Sequence, residues 1–81
     1  MEIEWTGTAL DDLAAFDKSI ARRVKQAVER FALTGSGNVK KLQGIDPPEY
    51  RLRSGDHRVR FSLDGFKLIV LRVRDRKDAY R

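Results

Sequence analysis

Residues Tyr50 to Phe61, YRLRSGDHRVRF, hold four arginines, Arg51, Arg53, Arg58 and Arg60, together with the chain's single histidine, His57. A guanidinium is a planar fork of fixed positive charge that grips phosphate or carboxylate through paired hydrogen bonds. Further along come Arg72, Arg74, Arg76, Lys77 and Arg81, with Tyr80 among them. Such a cluster suits a polyanion, the cations taking backbone phosphates and the aromatic ring stacking on a base. For Tyr80 the alternative is packing at the chain end. With no cysteine and one histidine, neither a disulfide, a thiolate metal site nor a multi-histidine centre can form, and no cofactor is expected.

Charge is unevenly placed. Residues 1–39 carry five Lys/Arg against six Asp/Glu, a net of −1, and residues 40–81 carry twelve against six, a net of +6, which sum to the +5 of the chain. That asymmetry points to a polyanionic partner, either nucleic acid or an acidic protein segment, unless the surface is simply well solvated. The 81 residues allow one domain, 1–81, small enough to be marginally stable alone or to gain stability from a partner. The opening MEIEW is neither a signal nor a transit peptide. No apolar run approaches the roughly 20 residues a membrane span needs. A soluble cytoplasmic protein without a membrane partner is expected.

The elements that must position the arginines follow from periodicity. Glu2–Trp5 alternates like a short strand, and Thr8 with Asp11 resembles a capping box, with Asp11 and Asp12 in the first turn of a helix. Leu10, Leu13, Ala14 and Phe16 form its apolar stripe. A break at Asp17-Lys18-Ser19 starts a second helix on Ile20, Val24, Ala27, Val28 and Phe31, ended by the glycines after Thr34. Residues 39–49 read as a connection interrupted by Pro47-Pro48. Lys40 and Lys41 within it are either ordinary surface lysines or polyanion contacts. Three strands follow, Tyr50–Arg53, Asp56–Leu63 and Phe66–Arg74. The expected fold is α+β, a two-helix hairpin on one face of a small, mainly antiparallel four-stranded sheet, in the order β-α-α-β-β-β.

Alternation across strands then decides which residues share a face. A Ser54-Gly55 turn pairs Arg51 with Arg58 and places Arg51, Arg53, Arg58 and Arg60 on one face. Tyr50, Leu52, His57, Val59, Phe61 and Leu63 fall on the other. A three-residue loop, Leu63-Asp64-Gly65, keeps this parity. It sends Ile69, Leu71 and Val73 to the core and Arg72 and Arg74 to the arginine face. Like charges directly opposite one another destabilise a sheet, and only Asp56 is placed to offset them. A face so built is expected to bind phosphates or carboxylates.

Several stretches carry a family resemblance over nearly the whole chain. VKKLQG, YRLRSGDHRVRF and LIVLRVRDRKDAYR, preceded by WTGTALDDLAAFDKSIARRV, resemble the RelE/ParE superfamily of bacterial type II toxin–antitoxin toxins, with the RelE-like branch favoured. The most specific parts are the Lys-Leu-x-Gly connection, the Tyr-Arg-Leu-Arg…Gly-Asp-x-Arg hairpin and the closing Arg-x-x-x-Tyr-Arg. RelE-like members cut mRNA in the ribosomal A site; ParE-like members poison DNA gyrase on the same fold. A third possibility is a degenerate toxin kept as an antitoxin-binding co-repressor.

The resemblance implies an mRNA endonuclease that needs no metal and inhibits translation. Its partners would be a cognate antitoxin, mRNA and the 70S ribosome, with operator DNA reached only through the antitoxin. By that likeness Arg51 and Arg53 stand where basic residues serve proton transfer and phosphate contact. Arg58 matches the phosphate-stabilising arginine, Arg74 or Arg76 the C-terminal one, and Tyr80 the tyrosine that stacks on or orients substrate. Lys40, Lys41, Arg60, Arg72, Lys77 and Arg81 are the expected further RNA contacts. Many relatives carry histidine just before the tail arginine; here Asp75 precedes Arg76. Guanidinium scarcely deprotonates, so the general base stays open. Asp75 is one candidate, while His57 is expected to be structural.

Overall fold

The computed structural model describes residues 1–75. Its elements are β1 (Glu2–Trp5), α1 (Gly7–Ala14), α2 (Lys18–Thr34), β2 (Asn38–Lys41), β3 (Tyr50–Ser54), β4 (His57–Asp64) and β5 (Lys67–Asp75). The α+β class holds, with one strand more than expected. The five strands form one sheet in the order β1-β5-β4-β3-β2, with β1 parallel to β5 and every other pair antiparallel. The extra strand is β2, within what reads as a connection. Its four residues pair in register with β3, from Asn38↔Arg53 to Lys41↔Tyr50, and the prolines begin only after it ends.

Both hairpin turns differ from the expected ones in the same way. Each glycine takes the first of two loop positions: Gly55-Asp56 lies between the pair Ser54↔His57, and Gly65-Phe66 between Asp64↔Lys67. Gly55 and Gly65 both have φ 59°, whereas among the described residues no non-glycine residue has positive φ. Positive φ at the first position alone is the signature of a type II′ turn, whose twist matches the strands it joins. The first shift moves each pairing by two residues, so Arg53 faces Arg58 and Arg51 faces Arg60 while face membership is unchanged.

The odd residue needed for parity in the second hairpin lies in mid-strand. Phe61 pairs with Val70 but Arg60 pairs with Arg72, leaving Leu71 as a β-bulge. Leu68, Val70 and Val73 are therefore the buried residues of β5, whereas Ile69 and Leu71 are only half-buried. The bulge lies where β1 ends, at Trp5↔Val70, and α1 takes over the edge of β5. Thr6, not Thr8, caps α1. Its hydroxyl oxygen accepts from Ala9 N–H at 3.1 Å and can donate to Val70 O at 2.9 Å or Leu71 O at 3.3 Å. The cap thus satisfies the carbonyls around the bulge as well as the helix.

The core lies between the helices and one face of the sheet. Val39, Leu52, Val59 and Val73 form one row across β2–β5, and Tyr50, Phe61 and Val70 the next. Ala9 and Leu13 of α1 and Val24 and Val28 of α2 close over them, with Ile20, Ala27 and Phe31 at the margin. Leu10, expected in the stripe of the first helix, is half exposed, because the earlier start of α1 turns Ala9 inward instead. Gly35, at φ 74°, ends α2 in the left-handed geometry and donates its N–H to Phe31 O. No described helix is long and apolar enough to cross a membrane.

Candidate nucleic-acid interface

The face of the sheet turned away from the helices carries the cations in register. Lys40, Arg51, Arg60 and Arg72 stand in one row across β2, β3, β4 and β5, and Asn38, Arg53, Arg58 and Arg74 in the next. Neighbours within a row are about 4.8 Å apart and the rows are two residues, about 7 Å, apart. The sequence-predicted Arg51, Arg53, Arg58, Arg60, Arg72, Arg74 and Lys40 are thus brought together on one surface. Lys41 is not: it shares its face with Tyr50 and Phe61 on the helix side, since adjacent strand residues point oppositely. Arg76, Lys77, Tyr80 and Arg81 lie outside the described residues.

Two carboxylates that sequence reading did not assign hold two of the arginines. Glu49 binds Arg60 through Oε1 and Nη2. Asp12 accepts from Arg72 Nε at 3.0 Å and Nη2 at 3.2 Å, and from the Val73 N–H at 2.8 Å. Asp56, the expected counter-charge, sits in the exposed turn, because the shifted register takes it out of the strand. Among the described residues no carboxylate lies within ion-pair distance of Arg51, Arg53 or Arg74. Arg53 Nε instead reaches the Gly55 carbonyl at 3.4 Å. Asp12 read as a helix-start residue because its sequence neighbourhood is helical, and nothing local reveals an edge 61 residues away.

Burial alone would push the Asp12 carboxyl up. The hydrogen bonds from Arg72 and Val73, with attraction from Arg72 and Arg74, outweigh it and hold the group below the ordinary carboxylate value. The Arg72 guanidinium is correspondingly pushed up by its bond to Asp12, against desolvation. A carboxyl lowered on folding stabilises fully above its unfolded value, near pH 4, and that contribution disappears as pH falls through the folded value. Asp12→Ala also strands the Val73 N–H at the sheet edge, a loss of about 1–3 kcal/mol. Urea melts at pH 7 should show that loss, and stability of the variant should fall less steeply than wild type below pH 4. Parallel acid profiles would separate Asp12 from the acid response.

His57 and Asp75 are on the helix side of β4 and β5. Their strands pair them directly, and His57 Nε2 lies 4.0 Å from Asp75 Oδ2. The imidazole also meets the Phe16 ring edge-on, with centroids 4.9 Å apart. His57 is therefore a packed residue as expected. Asp75, one candidate for acid–base work, faces away from both arginine rows.

Residues 3–80 match the model of a protein family described as the ParE toxin of the type II toxin–antitoxin system parDE. The chain belongs to that family. It is a type II toxin, and solved structures place it within the wider RelE/ParE superfamily. The toxin is similar to a chain of the RelB–RelE antitoxin–toxin complex from Methanococcus jannaschii, at 27% identity and TM-score 0.78, over 95% of this chain and 94% of that one. A RelBE toxin–antitoxin complex from Mycobacterium tuberculosis gives 25% identity and TM-score 0.67, over 93% and 96% of the two chains. The YoeB dimer from Staphylococcus aureus shares the fold at TM-score 0.73 and 19% identity, over 89% and 92%. No curated protein sequence matches the toxin.

Proposed function

We propose that the toxin is an mRNA endonuclease acting on ribosome-bound message, and that a cognate antitoxin neutralises it. The observation that carries this reading is the pair of cation rows on the open face of the sheet. Strand cleavage here is attack of a ribose 2′-oxygen on the adjacent phosphorus with departure of the 5′-oxygen. It builds negative charge on the phosphoryl oxygens, which fixed guanidiniums stabilise without having to move. Arg51, Arg53, Arg58 and Arg74 surround the place such a phosphate would occupy. Arg60 and Arg72, held by Glu49 and Asp12, shape its border. The ribosome would supply the rest by ordering the message, since correct placement alone is worth several orders of magnitude. The RelB–RelE and RelBE complexes support an antitoxin as the protein partner.

A second reading is favoured by the family model itself, which is the ParE one. By resemblance to ParE-like members the toxin would poison DNA gyrase, and the cation rows would then grip an acidic protein segment. Purified toxin should cut message at mapped positions only when 70S ribosomes are present, and gyrase supercoiling should be unaffected at the same concentration. Absence of cuts with inhibition of supercoiling would replace the first reading by the second.

A further inference from the structure

Proton transfer is the part of this chemistry that arginine serves poorly. Cleavage leaves a 5′-oxygen that must be protonated as its bond to phosphorus breaks. Six of the cations in the two rows are guanidiniums, which hold their protons too tightly to donate them. His57 and Asp75 stand on the opposite face, and Glu49 and Asp12 are acceptors held by Arg60 and Arg72. Lys40 is the one ammonium in the described rows. It is exposed on β2, directly opposite Arg51.

We propose that Lys40 is the general acid of the cleavage reaction, a role that rests on the nuclease reading above. Residues directly opposite in an antiparallel pair have Cβ atoms about 5 Å apart. A phosphate gripped by Arg51 therefore lies within reach of the four-carbon lysine stem. An ammonium releases its proton several orders of magnitude more readily than a guanidinium. As the 2′-oxygen bonds to phosphorus, its proton passes to water. The P–O5′ bond breaks with its electron pair on the 5′-oxygen, which takes a proton from Lys40 Nζ. The products are a 2′,3′-cyclic phosphate and a 5′-hydroxyl, and the amine regains its proton from solvent. The pairing of β2 with β3 is what aims this side chain, since Lys41, one residue on, points to the other face.

The test compares two messages on 70S ribosomes. One has an ordinary linkage at the mapped cut; the other has sulfur in place of the bridging 5′-oxygen, and thiolate leaves without needing a proton. Lys40→Arg keeps the charge and removes the transferable proton. It should cut the ordinary message at least about 100-fold more slowly, yet cut the sulfur-bridged message at close to the wild-type rate. Arg58→Ala, a loss of charge stabilisation, should be slow on both. Lys25→Arg, on the outer surface of α2, should match wild type on both.

Lys40→Arg slowed equally on the two messages would make Lys40 a binding group and overturn the proposal. So would an unaffected Lys40→Arg beside an active wild type, which would leave the nuclease reading standing. A wild type inactive on both messages would remove that reading and the role of Lys40 with it.

Discussion

Arg58→Ala is expected to slow message cleavage by about 10²- to 10³-fold, the loss typical when one preorganised charge donor is taken from a transition state. The fold should survive. Arg58 stands opposite Arg53 on one side and Arg74 on the other, on the open face of the sheet and away from the core between sheet and helices. Urea melts of the variant should show a folded protein while activity collapses. Arg60→Ala should cost far less activity, because Glu49 already engages that guanidinium. The salt dependence of ribosome-independent RNA binding gives a second reading of the same ranking. Each lost phosphate contact lowers the slope of log affinity against log salt by roughly 0.7 for a single strand. Equal rate losses for Arg58→Ala and Arg60→Ala would reduce the face to a diffuse positive field with no privileged position.

That ranking could not be written from the sequence, though the face itself could. Alternation places Arg51, Arg53, Arg58 and Arg60 together under either turn, because a shift of two in pairing leaves parity untouched. The need for one extra residue in the second hairpin was also legible, since without it Arg72 and Arg74 would fall among the core residues. Its location was not. A bulge at Leu71 depends on where β1 stops and on Thr6 reaching across to the Val70 and Leu71 carbonyls, contacts more than sixty residues apart in sequence. The consequence was an interchange in β5, with Leu68 and Val70 buried in place of Ile69 and Leu71.

The same logic explains Lys40 and Asp12. β2 has four residues, NVKK, of which one is strongly apolar, too short for a periodicity signal. It becomes a strand because β3 offers it an edge. Asp12 sits in a helical pattern and acts on a strand. Pairings between distant segments decide both, and such pairings leave no local mark. The tail, where Arg76 and Tyr80 were expected to work, lies outside the described residues.

Phe61→Ala should bring the toxin close to unfolding. Among the described residues Phe61 is the largest fully buried side chain, at 1% exposure. Its ring packs against Phe31 of α2 at 5.4 Å and stacks on Tyr50 of β3 at 5.5 Å between centroids. It therefore joins the helix layer to the middle of the sheet. Truncating a buried phenylalanine to alanine costs about 3–5 kcal/mol in lost transfer energy and residual cavity. A chain of 81 residues has roughly 4–12 kcal/mol to lose, so most or all of its stability goes. Phe61→Leu, nearer in volume, should cost about 1.5 kcal/mol or less and remain folded. Urea melts followed by the fluorescence of Trp5 would measure both. Because Phe61 pairs with Val70 at the bulge, its loss also loosens the register that places Arg60 and Arg72 in their row. By linkage, an antitoxin that binds the folded toxin and not the unfolded chain would add about 2.7 kcal/mol at a free concentration a hundred times its dissociation constant. Phe61→Ala mixed with antitoxin should then regain much of its ordered structure, whereas Arg58→Ala should need no such rescue. A loss below 1 kcal/mol for Phe61→Ala would mean that the helix layer is held to the sheet by the valine rows and not by this aromatic cluster.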